Sequence, residues 1–252
     1  MKILHLDIET APNKVYTWGL WNQNVGINQI VEPGYTLCWA AKWHGQREVF
    51  FNSVHQSSEK EMLQEIFDLL EEADAVVHYN GEKFDIPTLN KEFAINNMGV
   101  PQPFHQIDLL KTSRKRFRFP SNKLDYVAQA FGLGSKVKHK GMELWNQCME
   151  GNASAWKQME RYNKQDVRLL EPLYTTLLPW IKSHPNHALF METDRPVCPN
   201  CGSKHVVKKG TETTKTMSYQ RYKCSDCGTP IRGRTNNVSK EKRGHILTQS
   251  KL

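Results

Sequence analysis

The sequence predicts an α/β chain, a mixed sheet flanked by helices, with a small cysteine-bearing module near its C-terminal end. Three observations carry this expectation. Segments of strand-like alternation cluster in the first fifty residues, amphipathic helical stripes follow them, and two Cys-x-x-Cys pairs stand in a basic stretch late in the 252 residues. That length suffices for one sizeable core plus a small module, since ~150 residues per domain is a soft guide.

Residues 2 to 9 alternate, with Ile3, His5, Asp7 and Glu9 on one side and Leu4, Leu6 and Ile8 on the other. Asp7 and Glu9 therefore share a face. Further strands are expected near residues 35–43 and 48–51, joined by a turn at Gly45, and complete an antiparallel meander. Ser58 and Glu61 form a capping box, after which Met62, Leu63, Ile66, Phe67 and Leu70 make the apolar stripe of a helix ending near Glu72. Ala75 to His78 is a short buried strand, closed by Asn80-Gly81 before a helix from about Ile86 to Asn97. Asp85 stands at that junction. Asn122 and Asp125 are expected to cap a helix through Phe131, and a long helix is expected from Ala153 to about Trp180, kinked or broken at Pro172. Lys182 to Val197 reads as a linker, and the residues from Gly233 on read as a flexible tail. No internal repeat is present.

Charge is unevenly distributed. Of the 34 Lys and Arg, 13 fall in residues 191–252, against 5 of the 26 Asp and Glu, so the net +8 sits in the C-terminal quarter. This suggests a polyanionic partner, with a merely solvated basic tail as the alternative. No apolar run approaches the ~20 residues of a spanning helix, which favours nucleic acid over a membrane. The first residues are too acidic for a signal peptide, so a cytoplasmic location is expected, in a bacterium or a phage-infected cell. Cys38 and Cys148 stand alone in apolar or helical stretches and read as small buried hydrophobes, which argues against a disulfide framework.

Four carboxylates in three short segments carry the chemistry: Asp7-Ile-Glu9, Asp85 in Asn80-Gly-Glu-Lys-Phe-Asp85, and Asp166 in Tyr162-Asn-Lys-Gln-Asp166. Acidic oxygens from distant parts of a chain suit two Mg²⁺ or Mn²⁺ ions about 3.5–4 Å apart, which can stabilise the attacking and leaving oxygens at a phosphorus. Tyr162 and Asp166, four apart on a helix, share a face. Asp108 rivals Asp85 as a ligand, although a helix N-terminal role suits it better. His78 reads as a core histidine.

In this order the three segments resemble those of the DEDD 3′-to-5′ exonucleases, members of the DnaQ-like, ribonuclease H-like superfamily. Lys123-Leu-Asp-Tyr-Val-Ala128 adds a likeness to the proofreading domains of family B DNA polymerases. The resemblance covers about residues 1–180 and implies a ribonuclease H-like mixed sheet. It further implies that Asp7, Glu9, Asp85 and Asp166 hold the two metal ions and that Tyr162 orients or helps deprotonate the attacking water. The histidine variant of the family places His five residues before the last Asp. Arg161 stands there, so the tyrosine subtype is implied, releasing 5′-mononucleotides.

Lys111 to Phe119 interleaves cations with phenylalanines, so Arg114, Lys115, Arg116, Phe117 and Arg118 are expected either to line a substrate groove or to form an exposed loop anchored by its rings. Trp18 and Trp21 either stack on a terminal base or pack in the core. Cys198, Cys201, Cys224 and Cys227 have the spacing of one structural Zn²⁺ site, with a redox pair of dithiols as the rival. Their segment resembles the zinc ribbons of transposases and other DNA-binding proteins, which makes Lys208, Lys209, Arg221, Lys223, Arg232 and Arg234 candidate phosphate contacts. A ribbon that only meets protein is the alternative.

The expected organisation is a catalytic domain over residues 1–181, a linker over 182–196, a zinc ribbon over 197–234 and a basic tail over 235–252. The expected activity is metal-dependent 3′-to-5′ exonuclease cleavage, with DNA favoured over RNA and with replication or recombination proteins as partners. Two rivals stand beside it: an RNA-directed or structure-specific nuclease, and a non-catalytic protein that binds DNA through its ribbon.

Overall fold

A computed structural model describes residues 1–250. Strand β1 (Ile3–Thr10) is followed by a small two-stranded sheet of β2 (Lys14–Val15) and β3 (Ile30–Glu32). Then come β4 (Thr36–Trp43), β5 (Phe50–Ser53), α1 (Glu59–Glu72), β6 (Ala75–His78), α2 (Asp85–Ile95), β7 (His105–Asp108), α3 (Leu109–Arg116), α4 (Leu124–Ala130), α5 (Met142–Met149) and α6 (Ala153–Leu177). The main sheet has the order β5-β4-β1-β6-β7, antiparallel on one side of β1 and parallel on the other. This is the mixed sheet flanked by helices that the alternation predicts.

The period-two pattern of β1 divides its chemistry between the two sheet faces. Leu4, Leu6 and Ile8 join Trp39 and Ala41 of β4 in a buried cluster with Met62, Leu63, Ile66 and Leu70 of α1 and Leu89 and Phe93 of α2. Truncating one of these leucines to alanine costs about 2–5 kcal/mol. On the opposite face Cys38, paired with Glu9, packs with Leu144 and Cys148 of α5 and Trp156, Met159 and Tyr162 of α6. Both lone cysteines are thus core residues, as expected. Helix α1 begins where its capping box predicts: the Glu61 amide donates to the Ser58 hydroxyl at 3.3 Å, and the Ser58 amide donates to the Glu61 carboxylate at 3.0 Å.

Several expectations are corrected. Strand β7 was hidden because His105-Gln-Ile-Asp108 has no alternation of its own; pairing with β6 makes it a strand. The segment 111–119, expected as either a groove wall or an exposed loop, is helical as far as Arg116, because Asp108 caps it by accepting from the Leu110 and Lys111 amides. Asn122 and Asp125 do not cap α4. The Asn122 side-chain oxygen instead accepts from the Ser113 hydroxyl at 3.0 Å and Asp125 from the Lys136 amide at 2.7 Å. Helix α5 was unforeseen, and α6 passes Pro172 and ends at Leu177 in a 3₁₀ turn over Leu178–Trp180.

The chain divides into two compact units, one of residues 2–174 and one from residue 175 onward that includes Met1. In the second unit β8 (Val206–Thr213), β9 (Ser218–Cys224) and β10 (Pro230–Asn236) form an antiparallel sheet, followed by a short helix α7 (Lys240–Gly244). The region expected as tail therefore contains a strand end and a helix. Its last two residues, 251 and 252, lie outside the described residues. Among the described residues no helix is long and apolar enough to cross a membrane.

Candidate active site

Strand β1 and helix α6 bring the principal acids together. Carboxylate oxygens of Asp7, Glu9 and Asp166 lie within 4.8 Å of one another. Asp166 is almost wholly buried, and its Oδ1 has no hydrogen-bond partner. Burial pushes the carboxyls of Asp7, Glu9 and Asp166 up from the usual range, and with the neighbouring acids adding to it that of Glu9 rises to about 8 and that of Asp7 well above its ordinary value. Such a recess of mutually repelling oxygens is a poor host for ionised carboxylates alone. Hard divalent cations match its donor set and would satisfy the orphaned oxygen.

Asp85 is placed differently from the other three. It sits in the first turn of α2 and its Oδ1 accepts from the Ile8 amide at 3.1 Å, tying that helix to β1. Burial raises it to about 7, and its charge in turn raises Asp7 and Glu9. It borders the three converging acids without joining them. Asp108 serves its helix N-terminus, and His78 is a satisfied core histidine whose Nδ1 accepts from the Gly81 amide at 3.0 Å.

Sequence reasoning missed two residues here. Lys136, from the connection between α4 and α5, places its ammonium on Asp166, 3.3 Å from the Tyr162 hydroxyl and 5.2 Å from the centre of its ring. Burial alone would lower the Lys136 pKa, but Asp166, Tyr162 and Asp7 outweigh it and raise it. Asn163 is fully buried and donates its amide to Asp7 Oδ2 at 2.7 Å. Its signal was present: three residues before Asp166 on a helix, it shares that residue's face. Lys136 had none: Lys136, Lys138 and Lys140 alternate in a connection that forms neither strand nor helix.

Tyr162 is 7 % exposed and its ring meets His139 edge-on at 4.7 Å. Burial, Glu9 and Asp166 raise its phenol well above the ordinary value, so it keeps its proton across neutral pH. Asp7, Tyr162, Lys136, Arg114 and Lys123 open onto one cavity of about 740 Å³, a size that suits a ligand of one or a few nucleotide units.

The basic residues do not form one surface. Arg114 lines the cavity, while Lys115 and Arg118 are exposed and Arg116 half-buried outside its lining. Phe117 packs on Phe119 and Phe131, so these rings anchor the segment. Trp18 and Trp21 do not enter the core: they are 101 % and 83 % exposed, beside exposed Tyr16 and Leu20. In the second unit, register puts Arg221, Lys223 and Arg232 on one face of the sheet, whereas Lys208 pairs with Tyr222 and belongs to the other. Lys209 and Arg234 are exposed.

The four cysteines converge. Cys198 and Cys227 sulfurs are 3.5 Å apart and those of Cys201 and Cys224 3.6 Å. Zn–S bonds of about 2.3 Å imply sulfur separations of about 3.7 Å in a tetrahedron, which these two contacts approach, so the donor set and its spacing suit zinc.

Comparison with known proteins agrees with this architecture. Over 133 residues the chain is 26% identical to DNA polymerase 1 of Aeropyrum pernix, covering 47% of this chain and 14% of the polymerase. The family B DNA polymerase from the hyperthermophilic archaeon Pyrobaculum calidifontis superposes with a TM-score of 0.54 at 21% identity, covering 71% of this chain and 24% of that one, a likeness of fold. A family model described as the RNase_H superfamily matches residues 35–178, more than half of the length, and the chain therefore belongs to the RNase_H superfamily and carries its nuclease-like fold.

Proposed function

We propose that the chain is a metal-dependent 3′-to-5′ exonuclease of the tyrosine DEDD kind, acting on DNA in preference to RNA and releasing 5′-mononucleotides. The observation that carries this reading is the convergence of Asp7, Glu9 and Asp166 from β1 and α6 around a buried, unpartnered carboxylate oxygen. In this reading residues 1–181 are catalytic, 182–196 link, 197–234 form a zinc ribbon and 235–252 follow it.

Asp7, Glu9 and Asp166 would hold two Mg²⁺ or Mn²⁺ ions, with Asp85 completing the acidic wall. Bound there, the ions supply charge neutralisation on the phosphate and a more acidic water. Asn163 fixes the orientation of Asp7 through its 2.7 Å hydrogen bond. Tyr162 presents its hydroxyl beside these acids, where it orients the attacking water or helps to deprotonate it. Lys136 offsets part of the acidic charge and offers its ammonium to a non-bridging phosphate oxygen. Arg114 and Lys123 extend that attraction along the cavity without reading bases. The exposed rings of Tyr16, Trp18 and Trp21 suit stacking on unpaired bases, worth about 1–3 kcal/mol per base and indifferent to sequence. The cysteine tetrad would hold one structural Zn²⁺, and Arg221, Lys223 and Arg232 give its sheet a phosphate-binding face.

The test is digestion of a 5′-labelled single strand, as DNA and as RNA, with Mg²⁺ or Mn²⁺. A ladder that shortens from the 3′ end, faster on DNA and absent with Asp7→Ala, is expected. Release of the labelled 5′ nucleotide first, or an internal cut with no ladder, contradicts the direction.

A further inference from the structure

A second cluster of metal-ligating side chains lies outside the acidic centre. His5 of β1, His44 after β4 and Glu171 of α6 each bring one ligand atom within 4.8 Å of the others. His5 Nε2 is 3.3 Å from His44 Nδ1, which is 3.2 Å from Glu171 Oε1. Bonds of about 2.0–2.1 Å to a tetrahedral ion place neighbouring ligand atoms about 3.3–3.4 Å apart, so these contacts have the edge length of such a shell.

Proton counting points the same way. A neutral imidazole carries one N–H. If His44 Nδ1 holds it, that single proton is divided between His5 and Glu171. If it does not, a His44 lone pair faces the carboxylate. His5 is fully buried with its Nδ1 unpartnered, on a strand whose neighbouring positions are Leu4 and Leu6. A cation among His5 Nε2, His44 Nδ1 and Glu171 Oε1 satisfies these three atoms at once and leaves the imidazole proton of His5 on its Nδ1.

We propose that His5, His44 and Glu171 form a second metal site that takes a transition-metal dication, Zn²⁺ in preference to Mg²⁺. Two imidazoles and one carboxylate are a zinc donor set, and His44, partly exposed, leaves the fourth position open to water. Lys42 bonds the other oxygen of Glu171, and the Gly45 amide donates to Oε1 at 2.6 Å, so the carboxylate is already oriented. The nearby ammonium also weakens the ion, making this site looser than the cysteine tetrad. An ion here clips α6 to β1, the two elements that carry Asp166 and Asp7, and holds them at their separation. The site stands whether or not those acids are catalytic.

The experiment is a Zn²⁺ titration of the full chain with its tetrad already zinc-loaded and with excess Mg²⁺ over the acids. One further Zn²⁺ is expected to bind and to raise the thermal midpoint. Affinity falls at least about tenfold in His44→Ala and in Glu171→Gln, and is kept in Asp7→Ala. Circular dichroism of His44→Ala, a substitution at a partly exposed position, checks that its fold is retained. No further equivalent in the native chain overturns the proposal. So does an equivalent that persists in His44→Ala and disappears in Asp7→Ala, which would place the ion on the acids.

Discussion

The acidic centre and the cysteine tetrad are built in opposite ways. Asp7 and Glu9 lie far from Asp166 in the chain, and the sheet and helix that carry them are held by a large apolar core. The tetrad comes from two short knuckles in a unit whose strands are mostly exposed, with Cys198 and Cys224 among its few buried residues. In the first region the fold organises the ligands. In the second the ligands organise the fold, because so little apolar surface is buried there without them.

That contrast predicts which substitutions cost chemistry and which cost structure. The largest effect falls on catalysis: Asp7→Ala or Asp166→Ala lowers single-turnover cleavage by about 10³-fold or more; the thermal midpoint holds in Asp7→Ala, where a buried repelling charge has been removed, and falls in Asp166→Ala, which leaves the Lys136 ammonium without its partner. Cys224→Ser, or zinc chelation, reverses the pattern. Residues 197–234 become protease-sensitive, cleavage of a short strand by the acidic centre persists, and binding of a longer strand weakens. Tyr162→Phe sharpens the comparison within the first region: an orienting hydroxyl predicts a loss of about 10²-fold with the upper limb of the pH–rate profile unmoved. A limb that shifts with this substitution would make the phenol a base.

The pH dependence separates the regions again. Glu9 is raised to about 8 and Asp85 to about 7, above their unfolded values near 4. Their contribution to stability is full below about pH 4 and is lost as pH rises through 7 to 8 in the metal-free chain. Bound cations remove that loss, so the rise in thermal midpoint on adding Mg²⁺ grows between about pH 6 and 8.5. Flat Mg²⁺ stabilisation over this range would show that the acids do not hold the ion. The smallest effect is local: Ser58→Ala removes the α1 cap at a cost of about 1 kcal/mol, read by urea unfolding, and leaves both regions' metal binding unchanged.

Legibility in the sequence follows the same division. The tetrad was readable from spacing alone, and β1, β4, β6 and α1 from alternation or a cap, because their patterns are local. Asp7, Glu9 and Asp166 stood out as acids in short segments, periods of two and of about four put Asp7 with Glu9 and Tyr162 with Asp166 on shared faces, and the role expected of Tyr162 came from the family resemblance. Asp85 was found as a junction residue, but its hydrogen bond to the Ile8 amide depends on how α2 meets β1, which no local pattern encodes. Lys136 reaches Asp166 across thirty residues from a connection that forms neither strand nor helix. Strand β7 exists through its partner β6, and Trp18 and Trp21, apolar by composition, stay outside the core because their connection packs against little.

The central claim is that β1 and α6 together build a divalent-cation centre. Calorimetric titration of Mn²⁺ into the zinc-loaded chain at about pH 8, native beside Asp166→Asn, tests it most directly. The account predicts saturable binding in the native chain that weakens sharply in a variant of unchanged circular dichroism. Equal affinity in the two proteins would contradict it.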